Sequence, residues 1–178
     1  MKEIYGKNIF DFAELVKTIR YGYVDSDGKL HFAEDPDFKV HQYVFSSPEQ
    51  VVRNKCGWCW DVANLIAEYC KCNQMDHYYL FMEYFTEKLH QTHTQVFAHW
   101  EGKWYAFPDN SAPEKFGQKG FDNLEDCVKD FTGQFEAYLQ YVLKDAYDRE
   151  QLLLREITVD VPAGISDEAY LALVRGQN

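Results

Sequence analysis

The residues of this chain best placed to do chemistry lie in the run Lys55-Cys56-Gly57-Trp58-Cys59-Trp60-Asp61-Val62-Ala63. Val62, Ala63, Leu65, Ile66, Tyr69 and Cys70 recur at helical spacing, so a helix runs from Trp60 to about Cys70 and Cys59 stands at or beside its start. Unpaired backbone N–H groups and the helix dipole favour negative charge there and can bring a cysteine pKa from about 8.5 toward roughly 3.5–7.5. Such a thiolate can attack a carbonyl, exchange with a disulfide or bind a metal.

Disulfide exchange is suggested by the C-x-x-C spacing of Cys56 and Cys59. The usual redox motif follows a strand directly within a βαβ unit, whereas here a capped helical segment, Pro48 to about Asn54, comes first. Zinc is suggested by Cys56, Cys59, Cys70 and Cys72. One continuous helix would hold the last two about 16 Å from Cys59, which suits a four-ligand site poorly. No metal and no other cofactor is expected. Cys70 and Cys127 read as small apolar core residues and Cys72 as incidental.

Nucleophilic catalysis needs an imidazole near the thiol and a third group to orient it. Cys-Gly-x-Cys-Trp echoes a papain-type signature, but a histidine about 130 or more residues downstream would lie beyond this 178-residue chain. The nearer source is a hairpin, Thr92 to Trp100 and Trp104 to Phe107, around Glu101-Gly102. A three-residue loop, Trp100-Glu101-Gly102, with glycine left-handed at its third position, pairs His99 with Lys103 and Phe97 with Tyr105. It sets His93 opposite Asp109, a His–carboxylate pair. A two-residue loop would instead set Thr94 opposite Asp109 and send His93 to the other face.

Around these residues the pattern is that of one mixed domain. Phe12, Leu15, Val16 and Ile19 mark a helix over 10–20, and Tyr21 to Phe45 reads as extended or loop. Ser47-Pro48-Glu49-Gln50 is an N-cap, a first-turn proline and a capping-box Gln. His77 to Phe85 reads as a buried strand. A loop follows Asp109, then helices over 122–131 and 134–153, a strand over 157–161 and a short helix capped by Ser166. The high aromatic content, 13 Tyr, 13 Phe and 4 Trp, suits a sheet-and-helix core. A net charge of −11 without clustered Lys or Arg argues against a nucleic-acid or anionic-membrane partner. Five cysteines, no apolar leader at the N-terminus and no long apolar run point to a cytoplasmic protein without a disulfide framework.

Gly57-Trp58-Cys59-Trp60, then His93-Thr94-Gln95-Val96-Phe97, then Gly102-Lys103-Trp104-Tyr105 and Phe107-Pro108-Asp109, resemble in order and spacing the transglutaminase-like cysteine peptidase superfamily, bacterial members above all. Ser47-Pro48-Glu49 and the Ile19–Tyr23 segment add to the likeness, which covers roughly residues 10 to 135. Several bacterial members carry Glu where this chain has Asp109. The resemblance implies an α+β, papain-like or transglutaminase-like core, in which a helix bearing Cys59 packs on an antiparallel sheet bearing His93 and Asp109. It implies a single domain over 1–178, with a helical extension over 136–178 that carries no placeable motif. It also implies acyl transfer at an amide bond of a peptide or protein substrate: Cys59 attacks, His93 moves the proton, Asp109 orients His93, and a thioester forms. The Cys59 N–H would be one oxyanion donor, with Gln50, Trp58 or Trp60 as side-chain candidates and Trp104 as a cleft residue. Hydrolysis is expected, with protein-glutamine transamidation, Cys56–Cys59 redox exchange or a non-catalytic binding module as the alternatives.

Overall fold

The computed structural model describes residues 1–36, 38, 42–108 and 116–176. The elements run α1 (Lys2–Tyr5), α2 (Ile9–Lys17), β1 (Arg20–Asp25), β2 (Leu30–Phe32), β3 (Tyr43–Val44), α3 (Pro48–Asn54), β4 (Cys56–Gly57), α4 (Cys59–Cys72), β5 (His77–Phe85), β6 (His90–Trp100), β7 (Lys103–Ala106), α5 (Leu124–Leu143), β8 (Leu152–Glu156) and α6 (Asp167–Arg175). The fold is mixed α+β. A small sheet has the order β2-β1-β3, with β4 added parallel to β1, and a larger antiparallel sheet has the order β7-β6-β5-β8. Among the described residues no helix is long and apolar enough to cross a membrane.

Strand alternation gives the larger sheet two covered faces. Tyr79 and Phe81 of β5 and Val96 and Ala98 of β6 join the core formed with α2, α4 and α6. Leu80, Met82 and Phe97 point the other way and pack with Cys127, Val128, Phe131 and Phe135 of α5. The buried residues of β5 and β6 are therefore assigned to one helical layer or the other by their parity.

Three sequence expectations change. Helices expected over 122–131 and 134–153 are one helix, α5, interrupted neither by Thr132 nor by Gly133. An interior glycine costs about 1 kcal/mol relative to alanine, and the unbroken stripe Cys127, Phe131, Phe135, Leu139 offsets it by burial on the sheet. The chain leaves that helix at Lys144, which has φ 52° and ψ −124°, so the strand expected over 157–161 forms earlier, at Leu152–Glu156. There Leu152 pairs with Tyr84 and Leu154 with Met82, which puts both leucines on the α5 side.

The third change concerns the hairpin. Phe97 pairs with Ala106, Ala98 with Tyr105, His99 with Trp104 and Trp100 with Lys103, leaving a two-residue loop. Glu101 (φ 48°) and Gly102 (φ 77°) both take positive φ, as a type I′ turn requires. The three-residue reading assumes that only glycine turns left-handed here; Glu101 does so as well. Every pairing drawn from that reading moves by one residue.

Candidate functional site

Cys59 is the first residue of α4, as its spacing predicts. Two local devices put it there. Ser47 caps α3 by accepting the Gln50 N–H, and Gln50 Oε1 accepts the Ser47 N–H in return. Lys55, left-handed at φ 49°, then ends α3 and passes the chain into β4, where Cys56 and Gly57 pair with Arg20 and Tyr21. From that strand the backbone turns directly into α4.

Asp61 fixes the turn. Its Oδ2 accepts the Trp58 N–H at 2.8 Å, capping α4, while Oδ1 accepts the Tyr43 hydroxyl at 2.7 Å and the Ser46 N–H at 2.8 Å. The carboxyl is completely buried. Burial pushes its pKa up to about 7 despite three hydrogen bonds that pull it down. Asp61 thus titrates near neutrality within two residues of the thiol.

Cys59 is 1% exposed. It lies close enough to Tyr43, Tyr79 and Tyr170 to raise the pKa of all three phenols electrostatically, adding to the larger effect of burial. The Tyr79 hydroxyl donates to the Trp60 carbonyl at 3.4 Å. Tyr170 comes from α6 and stacks on the Trp60 ring at 4.2 Å between centroids and 13° between planes. The Tyr170 and Tyr79 hydroxyls influence one another, but Tyr170 O–H meets no partner in hydrogen-bond geometry. Trp60 Nε1 and Thr94 Oγ1 are likewise buried without a partner. Thr94 faces the α4 side of the sheet, paired with Phe81, whose ring lies 6.2 Å from that of Tyr170. Three orphaned polar groups thus gather on the Cys59 side of the sheet. Native interiors leave few such groups, and each calls for a ligand, a water or a catalytic role.

Of the expected triad, Cys59 and His93 can be placed, and they lie on opposite faces of the larger sheet. His93 pairs with Met82 and stacks on Phe131 and Phe135 of α5, with centroids 5.8 and 6.3 Å apart, so it lies on the sheet face opposite α4. Its face follows from parity within β6: Thr94, Val96 and Ala98 face α4, so His93 and Phe97 face α5. Asp109 lies outside the described residues. Trp104 is also on the α5 side, beside His99 at 5.1 Å, and so cannot line a cleft at Cys59. Among the oxyanion candidates, Gln50 uses its Oε1 as acceptor in the α3 cap, which leaves its Nε2 donors outside that cap, and Trp58 packs against Phe38 and Tyr43. Trp60 keeps a free indole N–H. Burial pushes the Cys56 thiol up to about 12. Cys70 is fully buried core, pushed up to about 12 by the same cause, and Cys72 is exposed.

Sequence reasoning missed Tyr43, Tyr79, Thr94 and Tyr170. No local signal marks them, because they come from four separate elements. No protein-family model and no curated protein matches the chain.

A second cluster lies on the same sheet face. Glu83, 4% exposed, pairs with Arg175 of α6 through Nε to Oε2 at 2.9 Å and through a second contact, and with His90 Nε2 at 2.7 Å. Burial opposes its charge, but these partners hold its pKa below the usual carboxylate range. With both carboxylate oxygens engaged, Glu83 anchors the end of α6 to β5.

Proposed function

We propose that the chain catalyses thiol-dependent acyl transfer at an amide or ester carbonyl, with hydrolysis as the outcome, and that Cys59 is the nucleophile. The observation that carries this reading is the coincidence of a helix-start cysteine with buried, unpartnered donors, Trp60 Nε1–H and Tyr170 O–H, on the same side of the sheet. Donors without acceptors, next to a nucleophile, are what a developing oxyanion needs. The order of elements, a Cys-bearing helix packed on an antiparallel sheet, supports a transglutaminase-like core. Its imidazole is not supplied by His93 in this conformation.

In this reaction the Cys59 sulfur bonds to the acyl carbon, the carbon–nitrogen or carbon–oxygen bond breaks, and the leaving group departs with the thiol proton. Water then adds to the thioester, releasing the acid and restoring the thiol. The geometry offers Asp61 as the group that holds a proton near neutral pH, coupled through the Tyr43 hydroxyl to the side where Cys59 sits.

Incubation of the full chain with p-nitrophenyl acetate tests the assignment. A burst of p-nitrophenol, an acetyl adduct on the Cys59 peptide and loss of both in Cys59→Ala are expected. Acetylation spread over lysines, with none on Cys59, overturns the proposal.

A further inference from the structure

The face of the larger sheet turned away from Cys59 carries a cavity of about 90 Å³, lined by Gln95 and Cys127 together with the rings of Phe107, Phe121 and Phe131. Gln95 shares its parity with His93 and Phe97, which sets it on the α5 side. It is 2% exposed. Its Nε2 donates to the Val96 carbonyl at 2.8 Å and to the Phe107 carbonyl at 2.7 Å. Two carbonyl acceptors use both amide protons and forbid the flipped amide, which would set an oxygen against two oxygens. What remains is Oε1, an acceptor that no donor reaches among the described residues. Unlike Trp60 Nε1 and Thr94 Oγ1, which are sealed in the core, this atom keeps contact with open space. An acceptor in so buried a residue, facing a cavity, calls for a ligand or a water.

The rest of the wall sets the charge and size of what fits. The Ala106 N–H points at the Cys127 sulfur, yet burial still pushes that thiol up to about 12, and the same surroundings penalise an ionic ligand. At the rim, Lys119 and Gln134 both donate to Asp130, one to each carboxylate oxygen, so the charges there are matched among themselves. The volume exceeds the roughly 10–15 Å³ of a single water but falls short of the about 150 Å³ that holds benzene. A five-membered ring fits better than a six-membered one, and three phenyl walls favour a flat aromatic one.

We propose that this cavity is a binding site for a small, uncharged five-membered heteroaromatic of the pyrrole or pyrazole class, with its ring among Phe107, Phe121 and Phe131 and its N–H donated to Gln95 Oε1. The site lies across the sheet from Cys59 and does not rest on the acyl-transfer reading.

Pyrrole and furan test it, being rings of the same size that differ in an N–H replaced by an oxygen. Titrated into the ¹⁵N-labelled full chain, pyrrole should shift the Gln95 side-chain NH₂ and the Ala106 and Cys127 amides along saturable curves. Furan should need at least about fivefold more to half-saturate, because it leaves Oε1 without a donor. Equal half-saturation for the two, or shifts that never saturate and scatter over the surface, overturn the site. Cys127→Met puts a longer side chain into the cavity while leaving Gln95 in place, and should abolish the saturable shifts from both rings. Saturable pyrrole binding that survives in folded Cys127→Met overturns the proposal as well; should that variant fail to fold, the pyrrole–furan comparison on the unaltered chain decides alone.

Discussion

Asp61→Asn offers the most direct test of the charge arrangement at the start of α4. The Asp61 carboxyl binds its proton up to about pH 7 in the folded chain, against about 3.9 for an aspartate in an unfolded one. Between these values the folded state carries more protons than the unfolded state, so stability falls as pH rises through the window. At 1.36 kcal/mol per pKa unit, the loss from pH 5 to pH 7 is about 2–3 kcal/mol. Asparagine cannot titrate, so the variant should lack this slope. It should also lose stability at every pH, because its amide N–H₂ would face the Trp58 N–H where a carboxylate oxygen now accepts; one buried hydrogen bond lost costs about 1–3 kcal/mol. Chemical denaturation of both proteins at pH 5, 6, 7 and 8 gives the comparison. Asp25, Glu34 and Glu83, all held below the usual carboxylate range, contribute stability that is lost only as pH falls toward 4 and below, the opposite sign, and they cancel in the difference. Parallel stability curves for wild type and Asp61→Asn across pH 5–7 would refute the reasoning.

Tyr170→Phe removes a hydroxyl that has no partner, so thermal denaturation should show stability unchanged or raised by up to about 2 kcal/mol; a drop of that size would show that the hydroxyl is satisfied. His93→Phe keeps a ring against Phe131 and Phe135 and should leave the rate of Cys59 acetylation by p-nitrophenyl acetate near wild type, whereas loss of a general base costs about a hundredfold or more. Gly22→Ala would place a methyl 2.2 Å from the His31 carbonyl oxygen, and urea denaturation should report a loss of about 1–3 kcal/mol. Ser47→Ala removes the α3 cap and should cost about 1 kcal/mol by the same measurement.

Where neighbours in sequence decide the structure, the chain is readable. Cys59 opens its helix because Val62, Leu65, Ile66 and Tyr69 repeat with helical period, and the Ser47 and Ser166 caps declare themselves by residue type and offset. His77 to Phe85 is the strand its composition suggests. The hairpin register turns on a single φ angle: Glu101 accepts a left-handed conformation that its type disfavours, and that slip moves every β7 partner of β6 by one residue. The surroundings of Cys59 are illegible for another reason. Tyr43, Thr94 and Tyr170 meet there from β3, β6 and α6, and contacts between such distant segments leave no periodic trace in the sequence.

The tie between Phe45 and the Gly164–Ile165 segment has a consequence in time. The two partners, joined by hydrogen bonds from the Phe45 N–H to the Ile165 carbonyl and from the Gly164 N–H to the Phe45 carbonyl, are more than a hundred residues apart, and the ring of Tyr170, which stacks on Trp60, is made well after it. At about 5–20 residues per second, roughly 6 to 23 s separate the emergence of Trp60 from that of Tyr170 and Arg175. Throughout that interval the nascent chain lacks the ring that stacks on Trp60 and Phe45, and both aromatic faces stand open to chaperones.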